Sequence, residues 1–262
     1  MKCQAKILTY GTLELTHMAL DDEFRKQGEW LFRWRSFLPA IFIPLIAVAL
    51  SQMKMEHVGK WTYIWDYSCL GVSFLGLLVR VLTIGFVPKQ TSGRNTKEQV
   101  ANQVNTTGIY SIVRHPLYVG NFLIGLGVSL VQAVWWLPVI YSLAFWIYYE
   151  RIMFAEEAFL RQKFGETYRR WAATTPAFWP RFSQWRKPAL PFSWINVLRR
   201  EYSGLMLVIL CHAGQEFCER LILDHRVVWE VFWATLLFGG LTTYFVLRWI
   251  NRNTRLLRVP GR

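Results

Sequence analysis

Gly108-Ile-Tyr-Ser-Ile-Val-Arg-His-Pro-Leu-Tyr-Val-Gly120 is the stretch from which the fold of this 262-residue chain can be worked out. It places Arg114 and His115, together with Tyr110 and Tyr118, between two long apolar segments. Polar groups beside such segments are costly to desolvate unless they have partners. The stretch therefore indicates a boundary between an aqueous face and an apolar interior, and it contains candidate functional side chains.

The apolar segments on both sides of this stretch predict an all-α, polytopic integral membrane protein. The chain is 53% hydrophobic with 14 Trp, and a helix needs roughly 20 apolar residues to cross a bilayer core. The six candidate spans are 37–53, 62–87, 117–131, 134–154, 203–218 and 227–250. Three are near or above that length, and the three shorter ones would tilt less, thin the bilayer or be re-entrant.

The spans divide the chain into three parts. We predict a tail with an amphipathic lead-in at 1–36, a membrane core at 37–182, and a C-terminal pair of spans with a basic tail at 183–262. Residues 1–17 lack the apolar core of a cleavable signal peptide, and Met18 is a second candidate for the first residue.

The distribution of basic residues predicts the orientation in the membrane. The net charge is +13 with 30 Lys and Arg, which in a soluble protein would suggest a nucleic-acid partner. With both termini in the cytoplasm, 25 of these residues lie on the cytoplasmic side and four on the other, as the positive-inside rule requires. We therefore attribute the charge to topology and to anionic lipid headgroups, and we predict no nucleic-acid partner because no binding motif is present.

Two charged segments are brought together by a predicted helical hairpin. Arg114 and His115 precede the spans 117–131 and 134–154, and Glu156 and Glu157 follow them. Because an antiparallel hairpin returns its ends to one place, a guanidinium, an imidazole and two carboxylates meet at the cytoplasmic interface. Such a cluster can bind a zwitterionic or phosphate-bearing molecule and tune proton transfer. Salt bridges that only close the base of the hairpin are the alternative.

Three further cations near this face are candidates for binding a ligand. Arg80 lies inside the second span, seven residues before Val87. Its side chain either snorkels to the interface or faces the bundle to pair with an acidic group of a cofactor or substrate. Arg94 and Lys97 lie in the hydrophilic segment 88–99, which is either a solvated connector or a loop that wraps a phosphate or carboxylate.

Two other polar helix faces have competing interpretations. Residues 155–171 predict an amphipathic helix under the membrane, which Pro176 and Pro180 terminate. His212, Glu216 and Glu219 share one helix face. Two metal ligands without a third are weak evidence, so we predict no metal site and expect this face to contact outer headgroups or water. The four cysteines have no metal-ligand spacing and are interpreted as small apolar side chains.

Three ordered blocks resemble the isoprenylcysteine carboxyl methyltransferase and phospholipid methyltransferase superfamily. They are Gly108-x-Tyr-x-x-x-Arg-His-Pro-x-Tyr-x-Gly120, Glu156-Glu-x-x-Leu-x-x-x-Phe-Gly-x-x-Tyr168 and Pro176-x-x-x-Pro180. The resemblance implies a polytopic enzyme that binds S-adenosylmethionine near the cytoplasmic face, by helix ends and the amphipathic helix. It also implies that no glycine-rich dinucleotide loop is needed, and none is visible in the sequence.

The resemblance assigns roles to residues by position. Glu157 is implied to lie close to the transferred methyl group, and Arg114 to hold an anionic group; these two are the candidate catalytic residues. The implied cofactor contacts are Asn102, Gln103, Val104, Asn105, Tyr110, His115, Tyr118, Gly120 and Glu156.

Departures from the family pattern bear on the acceptor. The isoprenylcysteine enzymes have an arginine shortly before the first proline of the last block, where this chain has Thr174 and Thr175, which argues against a prenylcysteine carboxylate. The segment 91–99 and the additional C-terminal spans resemble bacterial lipid A phosphate methyltransferases, which implies an inner-membrane location.

The sequence thus predicts O-methylation of a lipid phosphate that is bound with the help of Arg80, Arg94 and Lys97. The alternatives are N-methylation of phosphatidylethanolamine, isoprenylcysteine-type carboxyl methylation, and a non-catalytic membrane scaffold. The sequence does not determine an oligomeric state.

Overall fold

The computed structural model of the protein describes residues 20–52, 60–88, 101–223, 230–257 and 259. These residues form seven α-helices and contain no β-strand, which confirms the predicted all-α class. The helices are α1 (20–34), α2 (Phe42–Ser51), α3 (Lys60–Phe86), α4 (Pro116–Leu130), α5 (Trp136–Thr174), α6 (Trp194–Leu223) and α7 (Val231–Asn253).

Each of the six predicted apolar segments coincides with one of the helices α2 to α7. In the part of the chain that is described, two helical segments are long and apolar enough to cross a membrane, Tyr63–Phe86 and Val231–Asn253, whereas α2 and α4 are shorter apolar helices. Only 6% of the apolar window of α7 is buried within the protein, and Phe238 and Phe245 are among its exposed side chains. This outward apolar surface and the long apolar helices indicate association with a membrane.

Helices α3 and α4 pack closely because small residues face one another. A Cβ atom added at Gly76 would lie 2.5 Å from the carbonyl oxygen of Gly120 and 2.7 Å from the backbone nitrogen of Ile124. One added at Gly120 would lie 2.5 Å from Cγ of Arg80. The two backbones therefore approach each other as small residues allow in membrane proteins.

Helix α5 continues the second arm of the hairpin into the predicted amphipathic helix, with a break at Gly165. The backbone there has φ 53° and ψ −124°, a conformation that a side chain makes unfavourable. No atom lies within 4 Å of a Cβ added at this position, so the glycine is required by conformation and not by space. Beyond the break, Tyr168 is buried, and Nε1 of Trp171 donates to the carbonyl oxygen of Tyr110 at 3.1 Å.

Helix α1 packs along α5 and encloses an aromatic core. The ring of Phe24 meets that of Phe154 edge to face at 6.0 Å, and Nε of Arg151 donates to Oε1 of Gln27 at 2.8 Å. The core includes Phe32, Tyr118, Tyr141, Phe145, Ile152, Met153 and Phe178. The amphipathic lead-in is therefore part of the bundle wall that supports the hairpin.

The polar face of α6 is buried inside the bundle, so the expectation that it contacts headgroups or water is wrong. His212 is 2% exposed, its Nε2 lies 2.9 Å from Oγ of Ser73, and its ring is parallel to that of Trp233. Glu216 and Glu219 are buried as well. These side chains lie inside the bundle because α3 and α7 pack against this face, which helical spacing within α6 does not reveal.

Candidate active site

The segment 108–115 is fixed by backbone hydrogen bonds to the chain that follows α5. The N–H groups of Arg114 and His115 donate to the carbonyl oxygens of Pro176 and Ala177, at 2.9 and 3.1 Å. The N–H of Gly108, which has φ 61°, donates to the carbonyl oxygen of Arg186 at 3.0 Å. Two of the three sequence blocks are therefore joined directly, and the backbone at Arg114 and His115 is held in place.

The predicted charged cluster is present at the base of the hairpin. Nη1 of Arg114 lies 2.7 Å from Oε2 of Glu157, and Nε2 of His115 lies 3.0 Å from Oε1 of the same carboxylate. Nδ1 of His115 lies 3.5 Å from Oε2 of Glu156. His115 precedes the first residue of α4, and both glutamates lie on α5, so the hairpin geometry is what brings the four groups together.

Tyrosine rings extend the cluster into the bundle. The hydroxyl of Tyr118 donates to Oε1 of Glu156 at 2.7 Å. Its ring lies parallel to that of His115 at a centroid distance of 5.6 Å and touches that of Tyr149 at 4.6 Å. His115 is thus held by a carboxylate at each ring nitrogen and by an aromatic ring on one side.

The electrostatic environment favours the charged forms of both His115 and Glu157. Burial lowers the pKa of His115, but hydrogen bonds to Glu156 and Glu157 outweigh it, so that the pKa lies above its ordinary value. Burial raises the pKa of Glu157, but the contacts with His115 and Arg114 outweigh it and leave the pKa below its ordinary value. These contacts therefore shift His115 towards the imidazolium form and Glu157 towards the carboxylate form.

One polar atom of the site, Nε of Arg114, has no hydrogen-bond partner among the described residues and is fully shielded from solvent. The hydroxyl of Tyr168, which is 1% exposed, interacts with Glu157 and Arg114, and burial is the main reason that its pKa lies above its ordinary value. Buried polar groups are normally satisfied, so Nε of Arg114 is suited to contact an anionic oxygen of a ligand.

A cavity of about 190 Å³ is lined by the end of α3, the segment that precedes Ser111 and the chain that precedes α6. Its lining includes four of the predicted cofactor contacts, Gln103, Val104, Asn105 and Tyr110. Asn102 lies one residue before this lining and is exposed. Most of the predicted cofactor residues therefore fall into two groups, one that lines the cavity and one around His115.

The remaining predicted residues lie elsewhere. Gly120 faces α3 at the Arg80 side chain, where it serves helix packing. Arg80 faces the bundle, so the snorkelling alternative is wrong, and its acidic partner is Glu201 of the protein itself. Arg94 and Lys97 lie outside the described residues, as does most of the segment 88–99. In the described residues no group of three or more His, Cys, Asp or Glu is placed to hold a metal ion.

Sequence reasoning missed Tyr168 and Glu201 as site-related residues. In the sequence, Tyr168 is marked only as the last residue of the second family block. Glu201 lies 121 residues from its partner Arg80, and nothing in its local sequence marks it. A signal was available only for Tyr168, because a glycine three residues earlier allows the helix to turn back towards the hairpin.

The pH dependence of stability tests the charged state of His115. A raised pKa contributes stability that is complete below the ordinary histidine value and is lost as the pH rises through the raised value. We therefore expect the Tm of the detergent-solubilised protein to fall as the pH rises from neutral through that value. In His115→Gln this alkaline decline should be weaker, as measured by thermal unfolding across a pH series. An equal decline in the variant would contradict the assignment.

The fold and the site together define a class of protein: an all-helical, membrane-associated chain with a partly buried cluster of carboxylate, imidazole and guanidinium groups at the base of a helical hairpin. The model of the phospholipid methyltransferase family matches residues 58–167, which include α3, α4, the charged cluster and the break in α5. This confirms the resemblance predicted from the three sequence blocks. The chain is similar to the membrane methyltransferases of the phospholipid and isoprenylcysteine superfamily.

Individual proteins show similarity over the same central region. The nickel-cobalt-cadmium resistance protein NccN of Alcaligenes xylosoxydans xylosoxydans is 34% identical over 54% of this chain and 64% of its own length. The cobalt-zinc-cadmium resistance protein CzcN of Cupriavidus metallidurans is 32% identical over 54% of this chain and 63% of its own. The matched region thus spans just under two thirds of each of these relatives.

A eukaryotic methyltransferase is also similar. The protein-S-isoprenylcysteine O-methyltransferase of Schizosaccharomyces pombe is 29% identical over 44% of this chain and 49% of its own length. No solved structure gives a significant match.

Proposed function

We propose that the protein is an S-adenosylmethionine-dependent methyltransferase that modifies a membrane lipid headgroup, at a phosphate oxygen of the lipid A type. The observation that carries this proposal is the partly buried cluster of Arg114, His115, Glu156 and Glu157 at the base of an apolar hairpin. Similarity to phospholipid and isoprenylcysteine methyltransferases supports the reaction class.

The residues present fit S-adenosylmethionine, which carries an ammonium group, a carboxylate and a cationic sulfur. The amide side chains of Gln103 and Asn105 and the ring of Tyr110 line a cavity of mixed polarity that suits a nucleoside. Glu156 offers a carboxylate to the ammonium group. When bound, this cofactor supplies a methyl group that is already activated by the positive sulfur.

The chain's own residues would contribute alignment, electrostatics and exclusion of water. An anionic phosphate oxygen needs no base, so the task of the site is to hold it near Glu157 without solvent. Arg114 is the donor suited to hold it, because its buried Nε has no partner among the described residues. For an acceptor that must lose a proton, Glu157 is the candidate base.

One of the three cations predicted to bind the phosphate is already paired within the protein. Arg80 is already held by Glu201 and Asn121, so we leave it out of the acceptor site. Arg94 and Lys97 stay in the proposal, on the basis of their place in the hydrophilic segment that follows α3.

N-methylation of an ethanolamine lipid is a second candidate, and the two carboxylates favour it. Glu156 and Glu157 lie side by side around His115, and a pair of carboxylates can bind an ammonium group and remove its proton. An amine acceptor would make Glu157 essential as a base, whereas a phosphate acceptor would depend more on Arg114.

We propose that the helices α2 to α7 make six crossings and that the charged cluster faces the cytoplasm of a bacterial inner membrane. The asymmetric distribution of Lys and Arg supports this orientation. The segment after α5, which is hydrogen-bonded to the segment 108–115, has exposed aromatic side chains at Trp179, Phe182 and Trp185. They are interspersed with Arg181 and Arg186, as is typical of a membrane interface.

Lipid mass spectrometry tests the function. Membranes from cells with and without the protein are compared. We expect one lipid class to gain the mass of one methylene group, because a methyl group replaces a hydrogen. A shift in a phosphate-bearing glycolipid supports the first candidate, and one in ethanolamine lipids the second. Calorimetric titration of the purified protein with S-adenosylmethionine accompanies it, and the absence of binding would refute both enzyme candidates and leave a scaffold.

A further inference from the structure

An ion pair between Arg80 and Glu201 joins α3 to α6 inside the bundle. Nε and Nη2 of Arg80 each donate to one carboxylate oxygen of Glu201, both at 2.8 Å. The Glu201 side chain is 5% exposed and that of Arg80 20%. A buried ion pair is often no more stabilising than apolar side chains of similar volume. Stability alone is therefore a weak explanation for it.

The pair continues into a chain of directed hydrogen bonds. The remaining terminal nitrogen of Arg80, Nη1, donates to Oδ1 of Asn121 at 2.5 Å. Nδ2 of Asn121 then donates to the hydroxyl of Tyr149 at 3.0 Å. Each of these hydrogen bonds fixes the orientation of the next side chain in the series. The Glu201 carboxylate therefore determines the orientation of Arg80, then of Asn121, and then the position of Tyr149.

The chain of hydrogen bonds ends at the candidate active site. The ring of Tyr149 lies against that of Tyr118 at 4.6 Å. The hydroxyl of Tyr118 donates to Glu156, and its ring is parallel to that of His115. Displacement of Tyr149 would therefore move the two groups that hold the imidazole.

We infer that Glu201 is a positioning residue through which α6 orients the active site, by way of Arg80, Asn121 and Tyr149. The inference rests on the proposed function, since the site that is positioned is the methyl-transfer site. The family blocks all lie before residue 181. The inference therefore gives α6, which follows them, a role in the active site. The alternative is that the pair only fastens α6 to α3.

A double variant distinguishes a role of Glu201 in orienting the active site from a role that is limited to holding α6 against α3. Removing one partner would leave a buried charge unpaired, so Arg80→Met and Glu201→Leu are combined. We expect a Tm close to that of the wild type, an S-adenosylmethionine Kd that changes little, and a kcat that falls about tenfold, because small displacements at a reacting centre are costly. Glu201→Gln, which keeps the volume but weakens the pair, should give a smaller loss of kcat.

The control is a second Arg and Glu pair on the same helix, of similar exposure, in which Arg220 also lies 3.3 Å from Glu230. Nε of Arg220 lies 2.5 Å from Oε1 of Glu216, at the opposite end of α6 from Glu201. Glu216→Leu with Arg220→Met is expected to leave kcat unchanged. Equal losses in both double variants would show that α6 acts only as a structural element and would overturn the inference.

A measurement without turnover keeps this test independent of the proposed function. With 3-fluorotyrosine incorporated, the fluorine resonances of Tyr118 and Tyr149 are assigned by Tyr118→Phe and Tyr149→Phe. Both should shift in the Arg80→Met, Glu201→Leu variant and stay in place in the control. If the wild type shows no methyl transfer, the proposed function fails while the spectra still decide the inference. Unchanged spectra and kcat would refute it, and if the double variant does not fold, Glu201→Gln decides by the same readouts.

Discussion

Replacing Glu157 or His115 with Ala is expected to reduce methyl transfer by about a hundredfold or more, the usual contribution of a positioned acid, base or electrostatic group. Glu157 contacts both Arg114 and His115 at 2.7 and 3.0 Å, so its removal leaves both side chains without their shared carboxylate. The measurement is transfer of labelled methyl from S-adenosylmethionine to lipid in reconstituted membranes. Full activity in either variant would refute the site assignment.

A carboxylate on the same helix supplies the control for this prediction. Glu166 lies on α5 after the break, where its side chain is 62% exposed and pairs with an exposed Arg170. Glu166→Ala should leave methyl transfer unchanged, since an exposed pair contributes little to stability. Glu157→Gln serves to separate charge from shape, because it keeps the volume of the side chain while it removes the negative charge.

Replacing Gly76 with Ala is expected to lower the free energy of unfolding by about 1–3 kcal/mol, the usual cost of forcing an extra group into a packed interface. The new Cβ would lie 2.5 and 2.7 Å from backbone atoms of α4, and backbone can yield only if the two helices move apart. Thermal unfolding of the detergent-solubilised variant should therefore show a clearly lower Tm.

Gly71→Ala is the matched control, because the substitution and the helix are the same. A Cβ added at Gly71 has no atom within 4 Å, and alanine is the better helix former by about 1 kcal/mol. Its Tm is expected to be equal to or above that of the wild type. Equal losses at the two glycines would show that α3 and α4 are not packed as described.

Much of the site followed from the sequence because a hairpin of two consecutive helices joins its parts. A hairpin of two apolar helices must return Glu156 and Glu157 to Arg114 and His115, whatever else the fold does. The contacts among these four side chains were predicted for that reason, and their distances bear the prediction out. Their catalytic and binding roles stay predictions for the experiments above.

Contacts between distant segments could not be predicted in the same way. Arg80 was given two interpretations, and its actual partner, Glu201, was in neither. His212 was expected at a lipid or water boundary, yet its side chain lies against Ser73, 139 residues away. A helical pattern shows which residues share a face, but it does not show what covers that face.

The sequence by itself determined an all-α, membrane-associated chain with a charged cluster at one hairpin base, since hydrophobic periodicity and neighbouring charges are local properties. Only the tertiary structure decided that α6 supplies the partner of Arg80 and that the turn at Gly165 returns Tyr168 to the site. The physical reason is that a buried charge must be paired wherever the fold allows. The partner is selected by the packing of whole helices, which no local stretch of residues encodes.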